Sequence, residues 1–394
     1  MSLIVRVAAR GDGVSADGRH AAFAAPGDTL TDAGEVVPGP HHRVPPCRHF
    51  PECGGCQLQH LDDAAYAAFV EDRVASALDA QGLSAAIRPA LLSPPNTRRR
   101  ATLHAERGLL GFAAEKSHAV VDMRECHILR PELFALVAPL RALLQRLGLK
   151  RRADVHLTLA DQGPDILVAG IAPEGLPAHE AITAFAAQHG VARFAVDGGL
   201  GPETRWEPEP VTVTLGGVPV PFPPRGFLQA TGEGEAALVA AVREAVGDAR
   251  TVADLFAGLG TFALALPARV YAAEGARDAA LALQGAANAR GRPVFVEHRD
   301  LYRRPLTAAE LDRFDAIVLD PPRAGAREQA VALAACRAGA IAYVSCNPSS
   351  FARDARTLAQ GGWQLEWVQP VGQFRWSTHV ELVGCFSREP PASI

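Results

Sequence analysis

The chain has 394 residues, 48% of them hydrophobic and 21% charged, with a net charge of −4. Such a composition excludes disorder over most of the length, and the length calls for more than one hydrophobic core. The mild negative charge excludes a uniformly basic chain, so any polyanion has to be met by a local basic face.

The N-terminus reads Met1-Ser2-Leu3-Ile4-Val5-Arg6 and soon reaches Gly11-Asp12-Gly13. It has no apolar stretch of the kind a secretory signal needs, and no later run approaches a membrane span, so a cytoplasmic location without membrane contact is expected. Seven cysteines, three of them crowded near residue 50, then point to metal or catalysis rather than to disulfides. Residues 3–30 alternate short apolar stretches with turn residues, which predicts a small β-hairpin or partial barrel. Residues 31–46 hold Gly34, Pro38, Gly39, Pro40, Pro45 and Pro46 and read as a linker.

Cys47, Cys53 and Cys56 follow, with Cys126 much later. Four thiolates suit either a [4Fe–4S] cluster or a tetrahedral zinc, and the spacing alone leaves both open. Residues 62–81 predict an amphipathic helix capped by Asp62 or Asp63, with Tyr66, Val70, Val74 and Leu78 on one side. Arg98 to Val121 alternates like strands around a turn at Arg107-Gly108. Residues 131–148 predict a helix that kinks or breaks at Pro139. Short strands are expected over residues 155–159 and 211–214.

From about residue 234 the pattern becomes alternating: a helix over 234–246, a strand over 251–255, a glycine turn, a helix, a strand over 269–273, and further strands over 294–296, 316–319 and 341–344. That alternation predicts a doubly wound parallel sheet, which binds ligands at the carboxyl ends of its strands. Four motifs sit at such ends. In Asp254-Leu255-Phe256-Ala257-Gly258-Leu259-Gly260-Thr261 two glycines permit a tight turn and close approach to a ligand, and Glu274 ends the next strand, where an acid suits ribose hydroxyls. Asp320-Pro321-Pro322-Arg323 holds an acid at the sheet edge but lacks the aromatic residue that amino-group methylation favours. Cys346 in Ser345-Cys346-Asn347-Pro348 and Glu381 in Thr378-His379-Val380-Glu381 supply a thiol and a carboxylate. A small core cysteine and an exposed edge charge are the plain alternatives for these two.

Taken together and in this order, the motifs resemble those of the RNA 5-methyluridine methyltransferase family, over roughly residues 40–390, and most of all its iron–sulfur branch acting on large-subunit (23S) ribosomal RNA. The resemblance implies an α/β chain in three parts: a truncated TRAM-like β segment over 1–40, an α+β central domain with an iron–sulfur motif over 41–205, and a Rossmann-like class I methyltransferase domain over 206–394. It further implies that Cys47, Cys53, Cys56 and Cys126 ligate a [4Fe–4S] cluster. Gln229, Phe256, Gly258, Gly260, Thr261, Glu274, Asp300 and Asp320 would bind S-adenosylmethionine, with Gln229 and Asp320 also open to the base. Cys346 would be the nucleophile that adds to C6 of uridine, and Glu381 the base that removes the C5 proton. The target base is expected to be extruded from its stack.

The sequence departs from the family pattern at Thr231 and Thr261, where Asn is common, and at Arg375-Trp376, which follow Phe374 where Pro is favoured. Arg98-Arg99-Arg100, with Arg124, Arg130, Arg151 and Arg152, forms the expected phosphate-binding face. The cluster is expected to be structural or to assist RNA binding, because cofactor and nucleophile lie on the C-terminal domain. A monomer is expected. The rival readings are a catalytically inactive RNA-binding iron–sulfur protein and a methyltransferase for tRNA uridine.

Overall fold

The protein is described by a computed structural model over residues 1–388. Residues 389–394, the end of the expected 206–394 domain, lie outside it. Among the described residues no helix is long and apolar enough to cross a membrane.

Ser2–Val7 is the central strand of a five-stranded sheet whose other members are Gly13–Ser15, His20–Ala21, Thr29–Leu30 and Val36–Val37. The last of these lies inside the stretch read as a linker. It pairs antiparallel with Thr29–Leu30, so the sheet extends past residue 30, where the sequence expectation ended. Its core is small, with Ile4, Ala21, Ala24 and Leu30 buried together.

A six-stranded sheet follows in the middle of the chain, built from Arg100–Glu106, Leu109–Gly111, Ala153–Ala160, Gly163–Ala169, Arg193–Asp197 and Glu203–Trp206. Arg107 and Gly108, both at positive φ, make the expected turn. The helical stretch divides into Pro131–Phe134 and Val137–Arg146. The break falls before Pro139, not at it. Pro139 lies in the first turn of the second helix, where its missing N–H has no partner to lose.

The C-terminal sheet comprises β1 (Thr251–Leu255), β2 (Arg269–Glu274), β3 (Val294–His298), β4 (Ala316–Leu319), β5 (Ala340–Ser345), β6 (Gln364–Gly372) and β7 (Glu381–Ser387). Their order is β3-β2-β1-β4-β5-β7-β6, with β7 antiparallel to both neighbours. The order reverses between β1 and β4, which opens a crevice at the carboxyl ends of the strands. No α-helix follows the glycine turn after β1. Residues 260–266 make only single helical turns, such as Leu264 N–H to Gly260 O at 3.0 Å, before Pro267 ends them.

One face of the sheet is covered by the helices Gly232–Val246 and Arg277–Ala289, with Leu238, Val242, Leu283 and Ala287 buried. The other face is covered by Pro348–Gln360 and by Asp63–Asp79. The latter helix starts as the sequence predicts, Asp62 accepting from Ala65 N–H at 2.8 Å, and it buries Tyr66, Val70, Val74 and Leu78. Two short strands, Ala86–Ile87 and Leu91–Leu92, pair in parallel with β6. The segment 63–92, assigned by sequence to the 41–205 domain, therefore shares the core of the C-terminal sheet. Amphipathicity reveals that a helix has a buried face, but not which sheet buries it.

Candidate active site

The turn after β1 is held in conformations that side chains rarely adopt. Phe256 has φ +64, Gly258 +55 and Gly260 +94. A Cβ on Gly260 would stand 2.4 Å from Leu283 Cδ1, so the close approach of helix and turn requires glycine. Glu274, at the end of β2, accepts from Gly258 N–H at 2.8 Å and thereby fixes the turn. Asp300 lies beyond β3, where its Cα is 3.7 Å from the place a Cβ on Gly275 would take, and its carboxylate accepts from Tyr302 N–H at 3.0 Å. The Phe256 and Tyr302 rings stand 5.4 Å apart. Phe256, Gly258, Gly260, Glu274 and Asp300 thus share one rim, with Thr261 half-buried in the same turn. Asp254 is fully buried beneath them. One of its oxygens accepts from Ala263 N–H at 2.9 Å, the other has no partner among the described residues, and burial pushes its carboxyl up to about 7.

Cys346 and Glu381 come together through strand pairing. Ser345 is in register with Leu382 across β5 and β7, so the next residues outward, Cys346 and Glu381, are neighbours at the sheet edge. Asp320 ends the adjoining β4. Burial pushes the Cys346 thiol up to about 11, helped by the charges of Glu381 and Asp320 and opposed by Arg323. Burial likewise raises Glu381 to about 7, against the pull of the Gln373 amide and Arg100. Asp320 lies well above the usual carboxylate range because it is desolvated and faces Glu381, Asp254 and Glu274. Such a ring of carboxylates favours a ligand that carries positive charge.

Gln229 is buried at the start of the segment leading into the helix Gly232–Val246. Its amide carbonyl accepts from Gln373 Nε2 at 2.8 Å. Thr231 caps that helix, accepting from Gly234 N–H at 2.9 Å, so it serves backbone geometry rather than the crevice. Gln373 and Tyr302 lie at the site but were not marked in the sequence, and Arg100, expected on a phosphate-binding face, instead acts on Glu381. Gln373 stands outside every motif, eight residues before Glu381, with no local pattern to mark it.

Within the expected arginine face, Arg98, Arg99 and Arg100 are turned inward, whereas Arg124 and Arg151 stay exposed. Arg99 pairs with Glu235 and donates to Gln229 O, Arg100 stacks over Phe227 at 4.4 Å, and Arg98 lies over Phe374 at 5.4 Å. Arg124 pairs with Asp122 and Arg130 with Glu132. Arg152 donates to His118 O, while Arg151 is exposed. A run of arginines in sequence does not reveal which of them close an interface between two sheets.

Cys47, Cys53, Cys56 and Cys126 line one cavity together with His49, Phe112 and Ile128. Burial pushes all four thiols up, Cys53 to about 11 and Cys56 to about 12. Among the described residues no group of three or more His, Cys, Asp or Glu side chains is placed to hold a metal ion. The cysteine site touches the loop that leads into β7. Trp376 packs with Cys56 and Ile128, and its carbonyl accepts from Gln57 N–H and Leu58 N–H, both at 2.8 Å. Tyr66 donates to Phe374 O at 3.0 Å. The separation expected between the cysteines and the catalytic domain is corrected accordingly: the loop that leads into β7 forms part of the cysteine site.

A family model described as tRNA (uracil-5-)-methyltransferase matches residues 295–388. The chain is 54% identical to an uncharacterized RNA methyltransferase of Zymomonas mobilis, over 98% of this chain and 100% of the relative. It is 32% identical to the 23S rRNA (uracil(1939)-C(5))-methyltransferase RlmD of Pectobacterium atrosepticum, over 89% and 81% of the two chains. The fold is that of the tRNA (uracil-54, C5)-methyltransferase of Pyrococcus abyssi, solved with S-adenosyl-L-homocysteine, with a TM-score of 0.74, 21% identity and coverage of 98% and 100%.

Proposed function

This chain belongs to the RNA uracil-C5 methyltransferase family, and on that premise we propose that it methylates C5 of a uridine in large-subunit ribosomal RNA with S-adenosylmethionine as donor. The observation that carries the reading is the juxtaposition of Cys346 and Glu381 across β5 and β7, beside Asp320. The ribosomal target is favoured by the 32% identity to an enzyme of that specificity along most of both chains.

The Cys346 sulfur bonds to C6 of the extruded ring, and the C5–C6 π electrons move towards O4 to leave an enolate. C5 then takes the methyl group that bound S-adenosylmethionine would supply, its bond to the sulfonium breaking and S-adenosylhomocysteine leaving with the electron pair. Glu381 removes the C5 proton, the electrons return to C5–C6, and the bond from C6 to sulfur breaks. The thiol has to shed its proton before it adds, and the high position of Cys346 means that a neighbouring base or an incoming positive charge must assist. A bound sulfonium and ammonium would relieve the desolvation and mutual repulsion that hold Asp320 well above the usual carboxylate range.

The four cysteines suit a [4Fe–4S] cluster. All four line one cavity, and the family resemblance favours the cluster over zinc. Cys47, Cys53, Cys56 and Cys126 would hold the cluster, which would tie the 47–56 loop, residue 126 and the Trp376 loop into one unit.

The test combines anaerobically purified protein, S-adenosylmethionine and unmodified large-subunit ribosomal RNA, with mass spectrometry of the digested nucleosides. 5-Methyluridine is expected from the wild type and none from Cys346→Ala. Methylation of tRNA alone would move the target to the rival substrate. Methyl groups on another base would remove Cys346 from its role.

A further inference from the structure

Gln373 makes three contacts that together fix the polarity of a neighbouring side chain. The backbone N–H of Ala230 can only donate, and it donates to the Gln373 side chain at 2.9 Å. The atom it meets must therefore be the amide oxygen, which leaves the NH2 group of Gln373 facing Gln229 at 2.8 Å. Gln229 must answer with its carbonyl. Its own NH2 is turned away and has no protein acceptor among the described residues, nor is it sealed from the crevice as a buried orphan. Gln373 is 1% exposed, so water does not compete for these bonds. The same Gln373 amide lies against Glu381.

We propose that Gln373 is a positioning residue that locks the Gln229 amide with its N–H donors towards the target base, so that the site accepts a base with a carbonyl at C4 and rejects one with an amino group there. This rests on the uridine reading of the site. Uracil offers O4 as an acceptor, whereas cytosine offers a donor that would meet another donor. The contact also gains strength during reaction, because addition at C6 sends negative charge onto O4. Without Gln373 the Gln229 amide is free to turn over, and both effects are lost.

The test uses the full chain, as purified under anaerobic conditions, and two RNA fragments with uridine or cytidine at the mapped target. Binding is measured in a Cys346→Ala background, where no covalent adduct forms. The parent is expected to prefer uridine by about tenfold, and Gln373→Met to reduce that preference to within about threefold. On the uridine RNA with Cys346 intact, Gln373→Met is expected to lower kcat by about tenfold with KM changed by less than about threefold. Gln373→Glu keeps an acceptor for Ala230 N–H but, when ionised, draws the Gln229 NH2 to itself and turns its carbonyl to the base, so it should abolish or reverse the preference. It also serves if the methionine variant is unstable. An unchanged preference in both variants, each shown folded by thermal melting, overturns the proposal. Failure of the uridine reading looks different, since the wild type would then leave no 5-methyluridine on any RNA.

Discussion

Glu381 illustrates the stability cost of a buried carboxylate. Burial raises its carboxyl from the ordinary 4.5 to about 7. Between those values the folded chain holds a proton that the unfolded chain has released, so stability falls as pH rises through that window and the penalty is complete above 7. Glu381→Gln is therefore expected to stabilise the protein at pH 8 by on the order of 1–3 kcal/mol and to change little at pH 4, as read from urea unfolding at both values. Methyl transfer should fall by about 10²–10⁴-fold in the same variant. Equal stability of the two proteins at pH 8 would mean that Glu381 is ionised without penalty in the fold. The identity of this residue as a site candidate was legible from its motif, because a carboxylate opening an apolar strand needs a reason. Gln373 was not, because it reaches Glu381 from a loop, and Arg100 was marked only as a phosphate contact, because its place beside Glu381 comes from another sheet.

At the scale of the element, the turn after β1 and the helix Arg277–Ala289 make a matched pair of tests. Gly260 combines a φ of +94 with a Cβ position already occupied by Leu283. Gly260→Ala is expected to destabilise by about 1–3 kcal/mol and to weaken S-adenosylmethionine binding measured by calorimetry. Gly285, exposed in the neighbouring helix, would place a Cβ in open space. Gly285→Ala should stabilise by about 0.5–1 kcal/mol and leave binding unchanged. The sequence marked Gly258 and Gly260 through their place after a strand, and the helix Asp63–Asp79 through its 3.6-residue period and its Asp62 cap. It mistook the stretch after Gly260 for a helix because the apolar spacing is helical, although Pro267 and the nearby start of β2 leave no room. It overlooked β6, whose nine residues, Gln364–Gly372, carry no strict alternation because both faces are largely covered.

Across the whole molecule, the cysteine cavity joins chain regions that lie far apart in sequence: the 47–56 loop, Cys126 and the loop at Trp376. Cys126→Ser is expected to lose iron, judged by visible absorbance and metal analysis. Backbone amides of residues 373–381 should then exchange with deuterium at least tenfold faster. Unaltered exchange in that segment would show that the loop stands without the bound group. The sequence by itself determined the doubly wound C-terminal sheet, the order of its motifs, the candidate thiol and carboxylate, and the four clustered cysteines. Each of these is written in local periodicity or in residue types whose chemistry is rarely idle. Only the tertiary structure decided which sheet buries the helix Asp63–Asp79, that Arg98, Arg99 and Arg100 face inward, that the cysteine site abuts the loop before Glu381, and which way the Gln229 amide points. Those outcomes depend on contacts between residues tens to hundreds of positions apart, and neither periodicity nor spacing carries information about a partner so distant.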